Sequence, residues 1–96
     1  MADHSQIDDL ALLDAAVTLT SRRVNVHVHD AYEVATGRAP TPQDAVELRM
    51  VVLRLERDGL VRSSADGFVE PTPDGRTAAE LRRLERRTRL SPRRAG

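Results

Sequence analysis

The chain has 96 residues, enough for one modest hydrophobic core, and it is 40% hydrophobic and 31% charged with no net charge. It has no cysteine, which excludes disulfides, thiolate zinc sites and a thiol nucleophile. No apolar run is long enough to span a membrane, and no signal-peptide pattern opens the sequence. We therefore expect a cytoplasmic protein that has no contact with a membrane.

The neutral total conceals a separation of charge along the chain. Residues 1–75 carry seven arginines against 13 acidic residues, a balance of −6. Residues 76–96 carry eight arginines against two glutamates, a balance of +6. This separation indicates either a basic segment that binds a polyanion or charge pairing within or between subunits.

The first predicted helix covers residues 5–20. Ser5 and Asp8 have the spacing of a capping box, and the apolar residues that follow occupy most of the helix circumference. We expect such a helix to be buried on two sides, against its own core and against a partner, with Asp8, Asp9 and Asp14 on its exposed edge.

Residues 24–29 alternate valine with asparagine or histidine, which predicts a short half-buried strand with Val24, Val26 and Val28 inward. His27 and His29 would then share the outer face, with Asp30 and His4 as conceivable further metal ligands. A metal site needs three or four convergent ligands, so an exposed polar strand face is the favoured interpretation. We predict neither a metal nor a cofactor.

A short helix over residues 30–37 follows, opened by the capping-box pair Asp30 and Glu33 and ended by Gly37. The next predicted helix, residues 42–58, has the clearest boundaries in the chain. Thr41 is its N-cap, Pro42 its first residue and Asp44 the partner in a capping box, and Gly59 ends it.

Apolar residues form two arcs on helix 42–58, a wide one and a narrow one that consists of Val46 and Leu53. We therefore expect this helix to be the central one, packed on most sides. One polar strip would remain exposed, including four residues free to enter a groove: Gln43, Glu47, Met50 and Arg54. Arg49 and Glu56 would form a second, smaller strip.

Two short strands near 60–70, joined by the turn residues Asp66 and Gly67, predict a hairpin. Pro71 ends the second strand, and Thr72 and Pro73 open a last helix over residues 73–89. We expect residues 91–96 to be a disordered basic tail. The predicted fold is mainly α with a small β-hairpin, in the order helix, strand, helix, helix, strand, strand, helix, as in a winged helix-turn-helix domain formed by residues 1–90.

The chain resembles the PadR-like and MarR-like winged-helix transcriptional regulators over roughly residues 24–84. Residues 53–61 are similar to the L-x-L-E-x-x-G-L-V segment that ends their recognition helix, and residues 29–35 to the short G-Y-E-(I/L)-A helix of the PadR group. Phe68, Thr72 and Gly75 resemble the residues that follow the wing. The resemblance implies bacterial homodimers that bind double-stranded DNA with helix 42–58 in the major groove.

Three features depart from that pattern and keep a second interpretation open. Pro71 stands where these families continue the strand, Asp44 and Glu47 would repel phosphates near the start of the reading helix, and residues 1–75 are acidic. Winged helices also serve as protein-interaction modules. The alternative is therefore a winged-helix adaptor that binds a protein partner and no DNA.

For the DNA interpretation, Gln43 would pair with adenine, Arg54 with guanine or phosphate, and Glu47 with cytosine N4, whereas the alternative is a solvated helix face. Residues on the hairpin and the connector would contact phosphates, which a solvated surface explains almost as well. The candidate DNA-contacting residues are Arg38, Thr41, Gln43, Glu47, Arg49, Arg54, Arg62, Ser63 and Ser64.

A seam of small and apolar residues on the last helix predicts a homodimer, through Leu81, Leu84 and Thr88 together with Ala78. The expected charge contacts across this interface join acidic residues of the first helix to arginines of the last: Asp8, Asp9 and Asp14 with Arg82, Arg83, Arg86 and Arg87. No nucleophile with a neighbouring base, no Gly-rich phosphate loop and no buried carboxylate pair is present, so we do not expect an enzyme.

Overall fold

The computed structural model describes residues 8–90, with side chains up to residue 87. The fold is mainly helical, with a small antiparallel sheet of three strands in the order β1-β3-β2. Its elements are α1 (Asp9–Thr20), β1 (Val26–His27), α2 (Val28–Thr36), α3 (Pro42–Arg57), β2 (Val61–Ser63), β3 (Phe68–Pro71) and α4 (Pro73–Leu90). None of the helices in this part of the chain is both long enough and apolar enough to cross a membrane.

Helix α1 lies at the centre of the fold. It packs against α2, α3 and α4 and against strands β1 and β3. Leu12, Leu13, Ala15 and Ala16 are buried, and the two alanines let neighbouring elements approach closely. The expectation that helix 42–58 would be the central one is therefore wrong. The predicted start at Ser5 lies outside the described residues, and the side chain of Asp8 caps α1 by accepting from Leu10 N.

The six-residue strand predicted over 24–29 is wrong in extent. Strand β1 has two residues, which pair with β3 as Val26↔Val69 and His27↔Phe68. Val24 is 90% exposed, and the valine pattern reflects burial of Val26 and Val28 alone. The chain becomes helical at Val28, two residues earlier than predicted, because His27 caps α2.

The prediction that α3 is packed on most sides is also wrong. One stripe of α3, made of Leu48, Val51, Val52 and Leu55, is buried. The narrow arc of Val46 and Leu53 faces outward instead, with 66% and 52% of these residues exposed. A helical wheel shows that α3 has two apolar arcs, but it does not show which arc is buried. That depends on how α1 and β2 pack against the helix.

Thr72 joins the end of α3 to the start of α4. Its hydroxyl donates to Gly59 O at 2.6 Å and accepts from Gly75 N at 3.0 Å, so it caps α4 while holding the α3–β2 turn. Its backbone N–H donates to Leu60 O. Gly75 lies so close to this turn that a Cβ atom there would be 1.9 Å from Leu60 O.

Ion pairs on the flanks of α1 attach it to α4. Arg82 contacts Asp8 at 3.4 Å and Asp14 at 3.5 Å, and Arg83 donates through Nε to Asp14 at 2.6 Å. These contacts lie within one chain, so Arg82 and Arg83 have intramolecular partners, whereas charge contacts of Arg86 and Arg87 across a dimer interface stay a prediction. Ala79 is fully buried beneath them, whereas Leu81 and Leu84 are at least half exposed.

The close approach at Gly75 predicts an unusual substitution effect. Gly75→Ala improves helix propensity, yet its Cβ would collide with a backbone oxygen, and we expect a loss of about 3 kcal/mol or more in the free energy of unfolding. Gly37→Ala is the matched control, because Gly37 has φ +83° and open space around it, and should lose about 1 kcal/mol from backbone strain. Urea unfolding measures both, and a neutral Gly75→Ala would contradict the described α4 position.

Candidate nucleic-acid interface

The connector between α2 and α3 is held by an interlocked polar cluster. Gly37 ends α2 in the left-handed conformation, and Thr41 begins α3 with a complete capping box. Asp44 Oδ2 accepts from Thr41 N at 3.0 Å, and Thr41 Oγ1 accepts from Asp44 N at 3.1 Å. Arg38 Nη1 donates to the same Asp44 oxygen at 3.1 Å. The predicted N-terminus of α3 is confirmed. These hydrogen bonds fix the direction in which the chain enters the helix.

Tyr32 ties this cluster to the core. Its ring is 2% exposed, and the Arg38 guanidinium lies 5.6 Å from the ring centroid. Its hydroxyl is buried near Asp44 but makes no hydrogen bond within the described residues. Burial raises the pKa of Tyr32, and the Asp44 carboxylate raises it further. The hydrogen bond from the backbone of Thr41 is the main cause that lowers the pKa of Asp44, to about 2.

Side chains at the centre of the outward face of α3 are a mixture of polar, basic and apolar groups. Val46, Met50 and Leu53 form an exposed stripe at i, i+4 and i+7, each with more than half of its surface in solvent. Gln43 and Arg49 are exposed beside this stripe. We call these five residues the α3 outer face.

Two members of the predicted polar strip, Arg54 and Glu47, do not belong to the α3 outer face. Arg54 makes a two-pronged ion pair with Asp9 of α1, through Nε at 2.8 Å and Nη2 at 2.9 Å. The pair raises the pKa of Arg54 and holds its guanidinium against α1. Glu47 is half-buried on the same side of the helix. Of the four strip residues, Gln43 and Met50 therefore belong to the α3 outer face and the other two lie at its edge.

His27 attaches the β2–β3 hairpin to α2. Its Nδ1 accepts from His29 N at 3.1 Å, and since a backbone N–H can only donate, Nε2 must carry the proton that goes to Asp66 O at 3.0 Å. The ring also meets Phe68 edge-on, with centroids 5.3 Å apart. These contacts of His27 fix the hairpin turn relative to the helices. The alternating sequence pattern of residues 24–29 did not predict them.

The hydroxyls predicted to contact phosphates already have partners. Ser63 Oγ donates to Glu56 Oε1 at 3.1 Å, and Ser64 Oγ accepts from Phe68 N at 3.3 Å. Arg62 is exposed on β2, where its Cα pairs with that of Glu70. Within residues 8–87, Arg49 and Arg62 make no ion pair, whereas Arg38 and Arg54 do.

A groove separates the α3 outer face from the hairpin turn. Its volume is about 400 Å³, and the residues that line it come from α3, the start of α2 and the turn, among them Arg49, Leu53, His29, Ser64 and Asp66. The structure thus places three of the candidate residues on one concave surface, Arg49 of α3 and Ser63 and Ser64 of the hairpin. The other candidate residues lie outside its lining: Arg38, Thr41, Gln43, Glu47, Arg54 and Arg62.

His27 and His29 are neighbours, with ring centroids 4.6 Å apart, but not on a strand face as predicted, because His29 belongs to α2. No group of three or more potential metal ligands occurs among the residues that the structure describes, and His4 lies outside them. The predicted basic tail, residues 91–96, lies outside them as well, as does the side chain of Thr88.

Comparison of the chain with protein-family models, with curated proteins and with solved structures yields no match.

The polar cluster predicts a pH-dependent contribution to stability. The folded pKa of Asp44, about 2, lies below its ordinary value of 3.8, so ionised Asp44 stabilises the fold fully above about pH 4 and loses this effect as the pH falls toward 2. In urea unfolding, the stability gap between the wild type and Asp44→Asn should be constant near neutrality and should shrink below pH 4. Asp58→Asn is the control for the loss of one carboxylate from the same helix, because Asp58 is exposed at the other end of α3. A stability difference between the wild type and Asp44→Asn that increases in acid would refute the stabilising role of ionised Asp44.

Proposed function

We propose that this chain is a winged helix-turn-helix domain that binds double-stranded DNA, with α3 in the major groove and the β2–β3 hairpin as the wing. The element order supports the proposal, because a short helix, a tight connector, a second helix and a hairpin follow one another, with β1 completing the sheet. The resemblance of residues 24–84 to PadR-like and MarR-like regulators points to the same class.

The observation that carries the proposal is the exposure of the N-terminal half of α3 beside the hairpin. Recognition helices contact base edges mainly with this half. Gln43 is exposed there and has the amide that suits adenine, and the apolar stripe offers methyl contacts to thymine. Arg49, which lines the groove, and Arg62, which is exposed on β2 outside it, are available for phosphates. Asp44, by contrast, is buried in its capping box and presents little charge to a ligand.

Measurements of binding to duplex DNA distinguish residues that recognise the base sequence from residues that attract the phosphates. Gln43→Ala should cost about 1–3 kcal/mol on a site selected from random duplexes and little on random DNA. Arg49→Ala should weaken binding to all duplexes and reduce the slope of log K against log salt by about one. Fluorescence anisotropy at several salt concentrations measures both effects.

Arg54→Ala is the matched control, since it removes an arginine from the same helix. Because Arg54 is held by Asp9, we expect this variant to lose stability while its DNA affinity stays within about twofold of the wild type. Equal losses of affinity in Arg49→Ala and Arg54→Ala would contradict the proposed orientation of α3.

The exposed stripe of Val46, Met50 and Leu53 favours a second candidate, a winged-helix adaptor that binds a protein. Its i, i+4, i+7 spacing is the pattern with which a helix anchors in an apolar groove. Selection from random duplex DNA distinguishes the two candidates. An enriched motif supports the DNA regulator, and an absence of enrichment at every salt concentration favours the adaptor.

A further inference from the structure

The His27 ring joins two elements of the fold through its two nitrogens. His29 N donates to Nδ1, and Nε2 donates to Asp66 O; we call this pair of hydrogen bonds the His27 contact. The first bond caps α2, and the second holds the turn of the β2–β3 hairpin. A single protonation state serves both bonds, namely the neutral ring with its proton on Nε2.

The hairpin turn fits closely over this ring. A Cβ atom at Gly67 would be 2.5 Å from His27 Nε2, so the turn has no room to spare. Beyond the His27 contact, Val28 N at the start of α2 donates to Gly67 O at 2.8 Å, and the pairing of β1 with β3 covers two residues. A change in the ring therefore affects both the turn and the first residues of α2.

We propose that protonation of His27 releases the hairpin turn, so that the position of the wing depends on pH. The protonated ring carries an N–H on each nitrogen, and its Nδ1 can no longer accept from His29 N. Two donors then face each other at 3.1 Å. Because the ring is rigid, a rotation that moves Nδ1 away from His29 also moves Nε2 relative to Asp66 O. The ring is half-buried and lines the groove, so the proton comes from solvent.

Charges in the groove favour this release. Within residues 8–87, three other charged or titratable side chains line the groove with His27: His29 of α2, Asp66 of the turn and Arg49 of α3. Arg49 and a protonated His29 repel an imidazolium, and the His29 ring centroid is 4.6 Å from that of His27. Asp66 attracts the imidazolium, but its carboxylate is exposed to solvent, which screens the attraction.

Carboxylates on the elements that pack against β1 mostly face arginines. Asp30, in the first turn of α2, contacts Arg23 at 3.4 Å, and Glu70 of β3 lies opposite Arg62 in the sheet register. Glu33 follows in the second turn of α2. The carboxylates of α1 bind arginines of α3 and α4: Asp8, Asp9 and Asp14 with Arg54, Arg82 and Arg83. The response to pH therefore depends on the His27 ring and on the groups in its groove.

The consequence for DNA binding rests on the proposed function. A hairpin that serves as the wing contacts phosphates when its turn lies beside α3, so neutral His27 is a positioning residue for that contact. Histidine side chains change charge between about pH 5 and pH 8. The wing is therefore held at the upper end of this range and released as the pH falls through it.

Nitrogen-15 NMR of the whole chain without DNA tests the release, in a titration from about pH 8 to about pH 5. The ring nitrogens of His27 should show the Nε2–H tautomer at high pH. As the ring takes up a proton, the hydrogen-exchange protection factors of the His29 and Val28 amides should fall about fivefold or more, with the same midpoint as the ring. An Nδ1–H tautomer at high pH, a ring that stays neutral throughout, or a ring that titrates while both amides keep their protection would overturn the inference.

The variant His27→Asn separates the two bonds of the His27 contact. Asparagine is a good N-cap residue and keeps an acceptor for His29 N, but it does not titrate and is too short to reach Asp66 O. We expect the His29 amide to stay protected at every pH and the amide shifts of Asp66 and Gly67 to show the released turn at every pH.

His29→Gln is the matched control, since it removes the neighbouring histidine and leaves the backbone N–H that donates to His27. Its pH transition at the turn should match that of the wild type. Circular dichroism melts establish that both variants are folded. A transition of the turn that persists in His27→Asn, or that disappears in His29→Gln, would assign it to another group and overturn the inference.

Duplex affinity measures the consequence for the wing separately. Between about pH 8 and about pH 5, the affinity of the wild type for a selected duplex should fall about threefold or more relative to that of His27→Asn, which lacks the held turn at both pH values. An NMR transition without this difference would overturn the positioning role of His27. An absence of DNA binding at every pH would contradict the proposed function instead, and the NMR titration would still decide whether His27 releases the turn.

Discussion

The packing of α1 on almost its whole circumference is the constraint on which the described fold depends. Leu13 is completely buried, and Leu10 is the most exposed apolar residue of the helix at 37%. The flanks of α1 carry carboxylates that bind arginines of two other helices: Asp9 holds α3, and Asp8 and Asp14 hold α4. Partly exposed ion pairs of this kind contribute little stability each, and they join α1 to both helices.

These ion pairs give the charge separation of the sequence a physical meaning. Part of the acidic excess of the first 75 residues neutralises arginines of α3 and α4 within the same molecule. The arginines left at the surface, among them Arg49 and Arg62, then determine where a polyanion would be attracted. Consequently the net charge of a segment is a poor guide to its ligand, because pairing removes some charges and leaves others exposed.

Local signals in the sequence predicted the elements that depend on neighbouring residues. The capping box of Thr41 and Asp44, the left-handed Gly37 and the hairpin near 60–70 are confirmed because each is determined within a few residues. The start of α2 was missed because His27 caps it with an imidazole, which the strand alternation concealed. Val46 and Leu53 were assigned to the core because periodicity cannot show which of two apolar arcs is covered.

The geometry of the candidate site depended on contacts that no local pattern contains. Arg54 and Asp9 are 45 residues apart in the chain, and His27 and Asp66 are 39 apart. The first contact withdraws a predicted reading residue from the α3 outer face, and the second fixes the hairpin beside it. As a result, the face that would meet a ligand is more apolar than the sequence indicated. That apolar character is compatible with a DNA groove or a protein surface, so the class of ligand must be determined by binding.

Nuclear magnetic resonance with nitrogen-15-labelled protein tests the central claim most directly, because it maps binding residue by residue without a substitution. The labelled chain is titrated at low salt with random-sequence duplexes of about two helical turns. The account predicts chemical-shift changes at the N-terminal half of α3, at its connector and at the hairpin turn, with α4 unaffected. Changes confined to α4, or no changes at any duplex concentration, would contradict it.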